Sequence, residues 1–393
     1  MAIQQANFSD DACPSVGTAP LIIRDCTLRE AEQAVGLTLH EKLRLAHELA
    51  AAGLQRIQLG APGRSEIDCQ AFLQLKDAGI TASLDALAIA YVPGWRDHID
   101  ACVACGADAV DIVHPVSEIH LREVLGVSPA EMLDRITDVV TYAKDRGVTT
   151  VAVSAMDAPR STPEILATAA RTAAAAGAQE FFLCDSVGVV GPRWIGELTN
   201  DLVALDCLRV GVHCHNDLGL ALANALAAVE AGCAIVDVTV NGIGERAGNV
   251  CLDELVVVLE KLYHLDTGVD TTQLTALATT MSDLTKVPLA FNKPLVGPHA
   301  FSHRHDTHAR AAIAHPAAVE PLDPDFVGNR RRFLPGKYSG PFVIRQIADR
   351  SGLKLTDDQI DQLVEIVCQV ATESKTDITD SEFRRLAEEI IVQ

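Results

Sequence analysis

Two histidines stand two residues apart in the run Gly211-Val212-His213-Cys214-His215-Asn216-Asp217. If this run is a strand, side chains alternate faces, so both imidazoles point one way and Val212, Cys214 and Asn216 the other. Two same-facing imidazoles are half of a divalent-metal site, lacking a carboxylate and leaving positions open for substrate. On this stretch alone, a pair of hydrogen-bonded histidines is the alternative. The carboxylate must come from elsewhere in the fold, and the stretch Arg24-Asp25-Cys26-Thr27-Leu28-Arg29-Glu30 offers two, Asp25 and Glu30.

The elements that would bring these groups together are legible as repeats. Short Val- and Ile-rich runs recur at 21–26, 55–60, 80–88, 108–114, 148–155, 179–185, 208–215 and 235–242. Amphipathic segments such as 39–52, 95–105, 128–145, 162–176, 193–204 and 217–231 lie between them, several followed by glycine, the residue that ends a helix without a Cβ penalty. Eight strand–helix units predict an α/β fold, a (β/α)8 TIM barrel of about 250 residues. A doubly wound open sheet is the rival, disfavoured by the count of eight and by the lack of a G-x-G-x-x-G turn after the first strand. Barrel active sites sit at the C-terminal ends of strands. The polar strand ends obey this: His114 through Ser117, Ser154 through Asp157, Asp185-Ser186, the two histidines, and the loop Asn241 through Asn249.

The 393 residues divide, on this reading, into a mobile tail (1–19), the barrel (20–265), a helical and Pro/Gly/His-rich linker or lid (266–340) and a small helical C-terminal domain (341–393). The long aperiodic stretch 291–342 predicts a functional arm. A net charge of −21 argues against nucleic-acid and anionic-membrane partners, which need clustered Lys and Arg. Eleven cysteines without secreted-scaffold spacing predict reduced thiols in a cytoplasmic protein, and the lone pair Cys102 and Cys105 reads as helix packing rather than zinc binding. No apolar run is long enough for a membrane span.

Three ordered motifs carry a resemblance: Asp25 through Gln33 (DCTLREAEQ), His213 through Gly219 (HCHNDLG) and Asn241 through Asn249 (NGIGERAGN). Together with the stretch Phe301 through Ile313 and the helix start Leu355 through Ile360, they resemble the homocitrate synthase and 2-isopropylmalate synthase family, closest to the homocitrate synthase branch. The resemblance implies a metal-dependent barrel that condenses acetyl-CoA with a 2-oxo acid and then hydrolyses the thioester. It implies Glu30, His213 and His215 as ligands of a divalent ion (zinc, manganese or magnesium), with Asn249 at or near it. Arg29 would hold the keto acid and stabilise the developing alkoxide, supported by Gln33. His308 would come from the linker to help enolise acetyl-CoA, in its own or a neighbouring subunit of a homodimer.

Departures from the family pattern fall at the acceptor end. Gln58 stands where the family has Glu, Ala152 where homocitrate synthases place an Arg for the distal carboxylate of 2-oxoglutarate, and Met156 where an acidic residue is usual. Trp95 or a neighbour replaces a His, Ser186 replaces a Thr, and Gly211 is small as in the isopropylmalate branch. Gln33, Gln58, Trp95, Ser154 and Ser186 are the substrate-binding candidates. Losing the distal Arg would leave a buried carboxylate unpaired at a cost of several kcal/mol. The expected acceptor is therefore not 2-oxoglutarate but 2-oxoisovalerate, pyruvate, oxaloacetate or a phosphonopyruvate-like acid. A lyase or aldolase of the 3-hydroxy-3-methylglutaryl-CoA lyase type is the alternative activity, and a catalytically lost scaffold the alternative class.

Overall fold

The computed structural model describes residues 20–392, so the expected tail at 1–19 lies outside the described residues. Eight strands, β1 (Ile22–Asp25), β2 (Arg56–Gly60), β3 (Ser83–Ile89), β4 (Ala109–Pro115), β5 (Thr150–Met156), β6 (Glu180–Asp185), β7 (Arg209–Cys214) and β8 (Ile235–Val238), close in sequence order into a barrel. All neighbours are parallel, and β1 pairs with β8 to complete the ring. The outer helices start on side-chain caps: Thr38 with Glu41 and Ser128 with Glu131 form reciprocal capping boxes, which satisfy backbone N–H groups that the first helical turn leaves free. Gly177 ends the helix Pro163–Ala176 at φ +106°, a conformation that strongly favours glycine.

Two helices complete the alternation without having been singled out in the sequence, Glu66–Asp77 and Leu252–Leu262. Strand eight is shorter than expected: β8 stops at Val238, and Val240–Gly242 turns over into a 3-10 segment with Asn241 left-handed at φ +59°. That turn takes the motif Asn241 through Asn249 out of the barrel wall and across its C-terminal end.

Strand periodicity decides what fills the barrel. Arg24, Arg56, Asp85, Asp111, Glu180 and Asp237 are all buried, and they pair with one another across strands. Arg24 lies 2.9 Å from Asp111 and 3.2 Å from Asp85, and meets Asp237 through both Nε (2.7 Å) and Nη2 (2.8 Å). Arg56 bridges Asp85 and Glu180. Phe182 roofs Arg24, with the guanidinium carbon 3.8 Å from the ring centre. Buried charges are tolerable only when each is paired and hydrogen-bonded, and here they interlock.

Among the described residues the chain divides into two compact units, the barrel through Thr271 with Ala276–Pro288, and Thr272–Thr275 with the chain from Leu289 onward. The second unit packs helices Asp306–Ala314, Pro341–Arg350, Asp357–Ser374 and Asp380–Ile391 around Val343, Ile344, Leu363, Val367 and Phe383. The stretch expected to be aperiodic contains the first of these helices and two short parallel strands, Ser302–His303 and Arg332–Phe333. Asp306 supplies the order by accepting hydrogen bonds from Gly340, Phe342 and Val343 at the start of the helix Pro341–Arg350.

Candidate active site

The helical turn Thr27–Glu30 follows β1 directly and carries Glu30 into the barrel mouth, where the carboxylate is buried. His213, on β7, places Nε2 3.2 Å from Glu30 Oε1, while its Nδ1 donates to Asp237 Oδ2 at 3.0 Å. Asp237 thus fixes the ring with Nε2 facing the mouth, the arrangement in which a carboxylate orients a metal-ligating imidazole. His215 faces the same way, its ring centre 5.1 Å from that of His213. Donor atoms of Glu30, His213 and His215 all lie within 4.8 Å of one another.

Two buried polar atoms in this corner have no hydrogen-bond partner, His215 Nδ1 and Asn249 Oδ1, and the Glu30 carboxylate beside them meets only the cations Arg29 and His213 through Oε1. Buried polar atoms are ordinarily satisfied, so two orphans beside a buried carboxylate fit a cation that binds nitrogen and oxygen donors. Asn249 Nδ2 stands 3.2 Å from His213 Nε2, and the amide fits because residue 244 is glycine: a Cβ there would meet Asn249 Oδ1 at 1.9 Å. Asp25, the other carboxylate of the first motif, is spent on the turn, accepting from the Thr27 N–H and hydroxyl at 2.9 Å each. Cys26 also stands near His213 and Asp237, but burial and Asp237 push its thiol far above the usual range, away from the ligating thiolate.

The electrostatics separate the two histidines. Burial opposes charge on His213, yet its hydrogen bonds to Asp237 and Glu30 outweigh burial and raise it to about 9. Burial and the neighbouring His213 lower His215 to about 4. Glu30 is held near 2 because Arg29, then His213, overcome its burial. The corner therefore presents an ionised carboxylate and one neutral imidazole.

A cavity of about 350 Å³ opens from this corner towards β3, β4, β5 and β6, where Leu87, Val113, Met156 and Cys184 form its wall with Asp111 and Ser154. Arg29 lines it, donating from Nε to Gln58 Oε1 at 2.6 Å. Gln58 is not itself a wall residue. It passes the connection from Arg29 to Asp111 Oδ2 (2.9 Å), and Asp111 also accepts from Ser154 (2.7 Å). Gln33 lines the cavity and donates to Glu30 Oε2 at 2.9 Å, and Ser186 lines it with its hydroxyl accepting from the Asp157 N–H at 2.9 Å.

Two expected site residues lie elsewhere. Trp95 is not in the pocket: it opens the helix Trp95–Ala104, is buried edge-on against Tyr142, and stacks under Arg96. Strand three contributes Leu87 instead, because the chain turns outward after Ile89. His308 belongs to the second unit, on the helix Asp306–Ala314, with its ring 5.8 Å from that of His305. Ala152 lies one layer below Ser154, packed with Phe182, Cys184 and Ile235. Gly211 makes that layer possible, since a Cβ there would come within 2.4 Å of the Phe182 ring.

Arg24, Asp111, Asp237 and His120 are site residues that none of the sequence motifs contains. The signal for the first three was present: charged residues at inward positions of Val- and Ile-rich strands have to find partners inside the barrel. His120 gave no signal of this kind, because it stands on the π-helical segment His120–Leu125.

The comparisons with known proteins bear on the family. The family profile described as HMGL-like matches residues 20–281, and one described as "Homocitrate synthase post-HMGL domain-like" matches residues 295–375. A 2-isopropylmalate synthase of Sulfolobus acidocaldarius is 37% identical, covering 96% of this chain and 97% of its own. The homocitrate synthase of Methanopyrus kandleri is 35% identical over 94% and 92%. The chain belongs to the homocitrate synthase and 2-isopropylmalate synthase family.

A second Methanopyrus kandleri member of this family, bearing the name (R)-citramalate synthase, is 39% identical over 94% of this chain and 72% of its own. The family consists of acyl-CoA-dependent acyltransferases that use a divalent metal and acetyl-CoA. Among solved structures, a 3-hydroxy-3-methylglutaryl-CoA lyase of Bacillus subtilis superposes with a TM-score of 0.60 at 20% identity, covering 70% of this chain and 97% of that one. At that identity the likeness shows the fold alone. The lyase alternative is not favoured, since the second profile and the named relatives are those of synthases. No helix among the described residues is long and apolar enough to cross a membrane.

Proposed function

We propose that the chain condenses acetyl-CoA with a short 2-oxo acid other than 2-oxoglutarate and hydrolyses the resulting thioester to a 2-alkylmalate-type product. The observation that carries the acceptor choice is the layer below the cavity. Ala152 stands at the distal-arginine position, Phe182 and Ile235 fill the space around it, and the nearby guanidinium of Arg24 is committed to Asp85, Asp111 and Asp237. A second carboxylate reaching that depth would find no unpaired cation among the cavity-lining residues there. Leu87, Val113 and Met156 favour an alkyl side chain, placing pyruvate and 2-oxoisovalerate ahead of oxaloacetate and phosphonopyruvate.

Glu30, His213 and His215 would hold the divalent ion, with Asn249 beside it. Bound there, a divalent ion supplies Lewis-acid polarisation of a ketone. The protein's own groups do the rest. Arg29, fixed by Gln58 and Glu30, presents its guanidinium to the oxygen that becomes an alkoxide, a preorganised charge that acts mainly in the transition state. Gln33 steadies Glu30. Asp237 holds the His213 ring through Nδ1 and so aims Nε2 at the ion's place. His308 is the proposed base for the acetyl methyl, in its own or a neighbouring copy of the chain.

Thiol release from acetyl-CoA across pyruvate, 2-oxoisovalerate, oxaloacetate, phosphonopyruvate and 2-oxoglutarate tests the reading. Turnover with at least one short acid above that with 2-oxoglutarate is expected. Preference for 2-oxoglutarate overturns the acceptor assignment, and no thiol release with any acid by metal-loaded protein overturns the synthase.

A further inference from the structure

The condensation uses two proton transfers of different kinds, one from a carbon and one from water, and the barrel holds a second histidine that the first step does not use. His120 lines the cavity. It is the first residue of the π-helical segment His120–Leu125 after β4, half the ring away from β1 and β8, where the metal corner lies. π-helical turns are rare and recur at functional sites.

His120 is tied down from one side only. Its Nδ1 lies 2.9 Å from Asp157 Oδ2 and 3.0 Å from the Ser117 hydroxyl. The Ser117 hydroxyl donates to Asp157 Oδ2, so Nδ1 carries the proton it gives to the same carboxylate. Asp157 is 1% exposed and gripped by a two-pronged Arg160, with Nε at 2.7 Å and Nη2 at 2.8 Å. Its backbone is left-handed at φ +62°, uncommon outside glycine, and its N–H is fixed by Ser186. A buried carboxylate holding Nδ1–H leaves Nε2 as a lone pair, which is how an aspartate prepares an imidazole to act as a general base.

The position suits water rather than a carbon acid. A base that makes a carbanion works best shielded from water, which would quench it. The His120 side chain is 21% exposed, and the rim of the same cavity carries Glu245 and Arg246, so water has access. Once the new carbon–carbon bond has formed, the thioester carbonyl lies two bonds beyond the alkoxide carbon, and His120 lines the same cavity as the residues of the metal corner.

We propose that His120, oriented by Asp157 and Ser117, is the general base of thioester hydrolysis. This rests on the synthase reading above. His120 Nε2 takes a proton from water as the oxygen adds to the thioester carbonyl. The carbon–sulfur bond then breaks, and the CoA sulfur leaves with the proton returned by the imidazolium. The acid formed ionises to a carboxylate.

The test supplies the two half-reactions separately to metal-loaded wild type, His120→Gln and Asp157→Asn. Condensation is followed by incorporation of labelled acetyl-CoA into the 2-hydroxyacyl-CoA and its acid after acid quench. Hydrolysis is followed on the synthetic 2-hydroxy-2-methyl thioester that pyruvate would give. Both variants should hydrolyse that thioester on the order of 10²-fold more slowly than wild type. They should still form the carbon–carbon bond, so the condensed thioester accumulates, a signature that general misfolding would not give. Hydrolysis at the wild-type rate in His120→Gln overturns the proposal. So does equal loss of both half-reactions in a variant whose metal content is unchanged. Hydrolysis of the thioester by wild type without condensation of any 2-oxo acid would instead sink the synthase reading.

Discussion

The wall built from β1, β7 and β8 and the wall built from β3, β4 and β5 face each other across one cavity and differ in how they are encoded. On the first, Glu30, Arg29, His213, His215 and Asn249 lie in three contiguous motifs, and their partners Gln33 and Gly244 fall within the same stretches. On the second, each strand contributes one or two residues, Leu87, Asp111, Val113, Ser154 and Met156, that become neighbours only through the barrel register. On the proposed reading the first wall holds the groups of the condensation, and these residues of the second set the choice of acceptor. Asp111 joins the two, linked through Gln58 to Arg29 on one side and to Ser154 on the other.

The sharpest break of this division comes from the metal wall. Glu30→Gln keeps the shape but removes the anionic ligand; a loss of activity of about 10³-fold or more is expected with every acceptor, together with loss of bound metal by elemental analysis. Retention of metal and activity would mean that the ion sits elsewhere. Asp237→Asn acts one step back: it loosens His213 and leaves Arg24 under-paired, and metal affinity should fall about 10- to 100-fold, read by titration with the ion.

The opposite wall should change ratios, not totals. Met156→Ala should shift the preference between pyruvate and 2-oxoisovalerate by about 10-fold towards the bulkier acid, since one or two methylene-sized spaces are worth ~1–3 kcal/mol in an apolar pocket. An equal loss with both acids would place Met156 outside the acceptor's reach. The smallest effect is expected for Ser154→Ala, which removes one hydrogen bond to Asp111 and should cost about 1 kcal/mol, a few-fold in kcat/KM, for the preferred acid.

The same contrast explains what could be read before any fold was known. Eight strand–helix repeats and the glycines between them were enough for the barrel, because strand period and helix stops are local. The gathering of Glu30, His213 and His215 was legible for the same reason, since Glu30 lies five residues beyond β1 and the two histidines stand at the end of β7 and just past it. Trp95 was misplaced because nothing local told whether the residues after β3 turn inward or outward; the chain leaves the barrel after Ile89, and the indole packs on Tyr142. Arg24 and Asp237 stayed unassigned although both were visible as charges in apolar strands, because their pairing runs across strands 213 residues apart. Gly211 shows the limit from another side: its smallness answers to the Phe182 ring on the next strand.

The central claim is that the metal wall runs the family's condensation while the opposite wall excludes a long dicarboxylic acceptor. The most direct measurement is kcat/KM for acetyl-CoA-dependent thiol release by the metal-loaded protein with pyruvate and with 2-oxoglutarate, side by side. The predicted result is a ratio of at least about 10² in favour of pyruvate, the scale set by leaving one carboxylate unpaired in a buried site. A ratio at or below one would contradict the account.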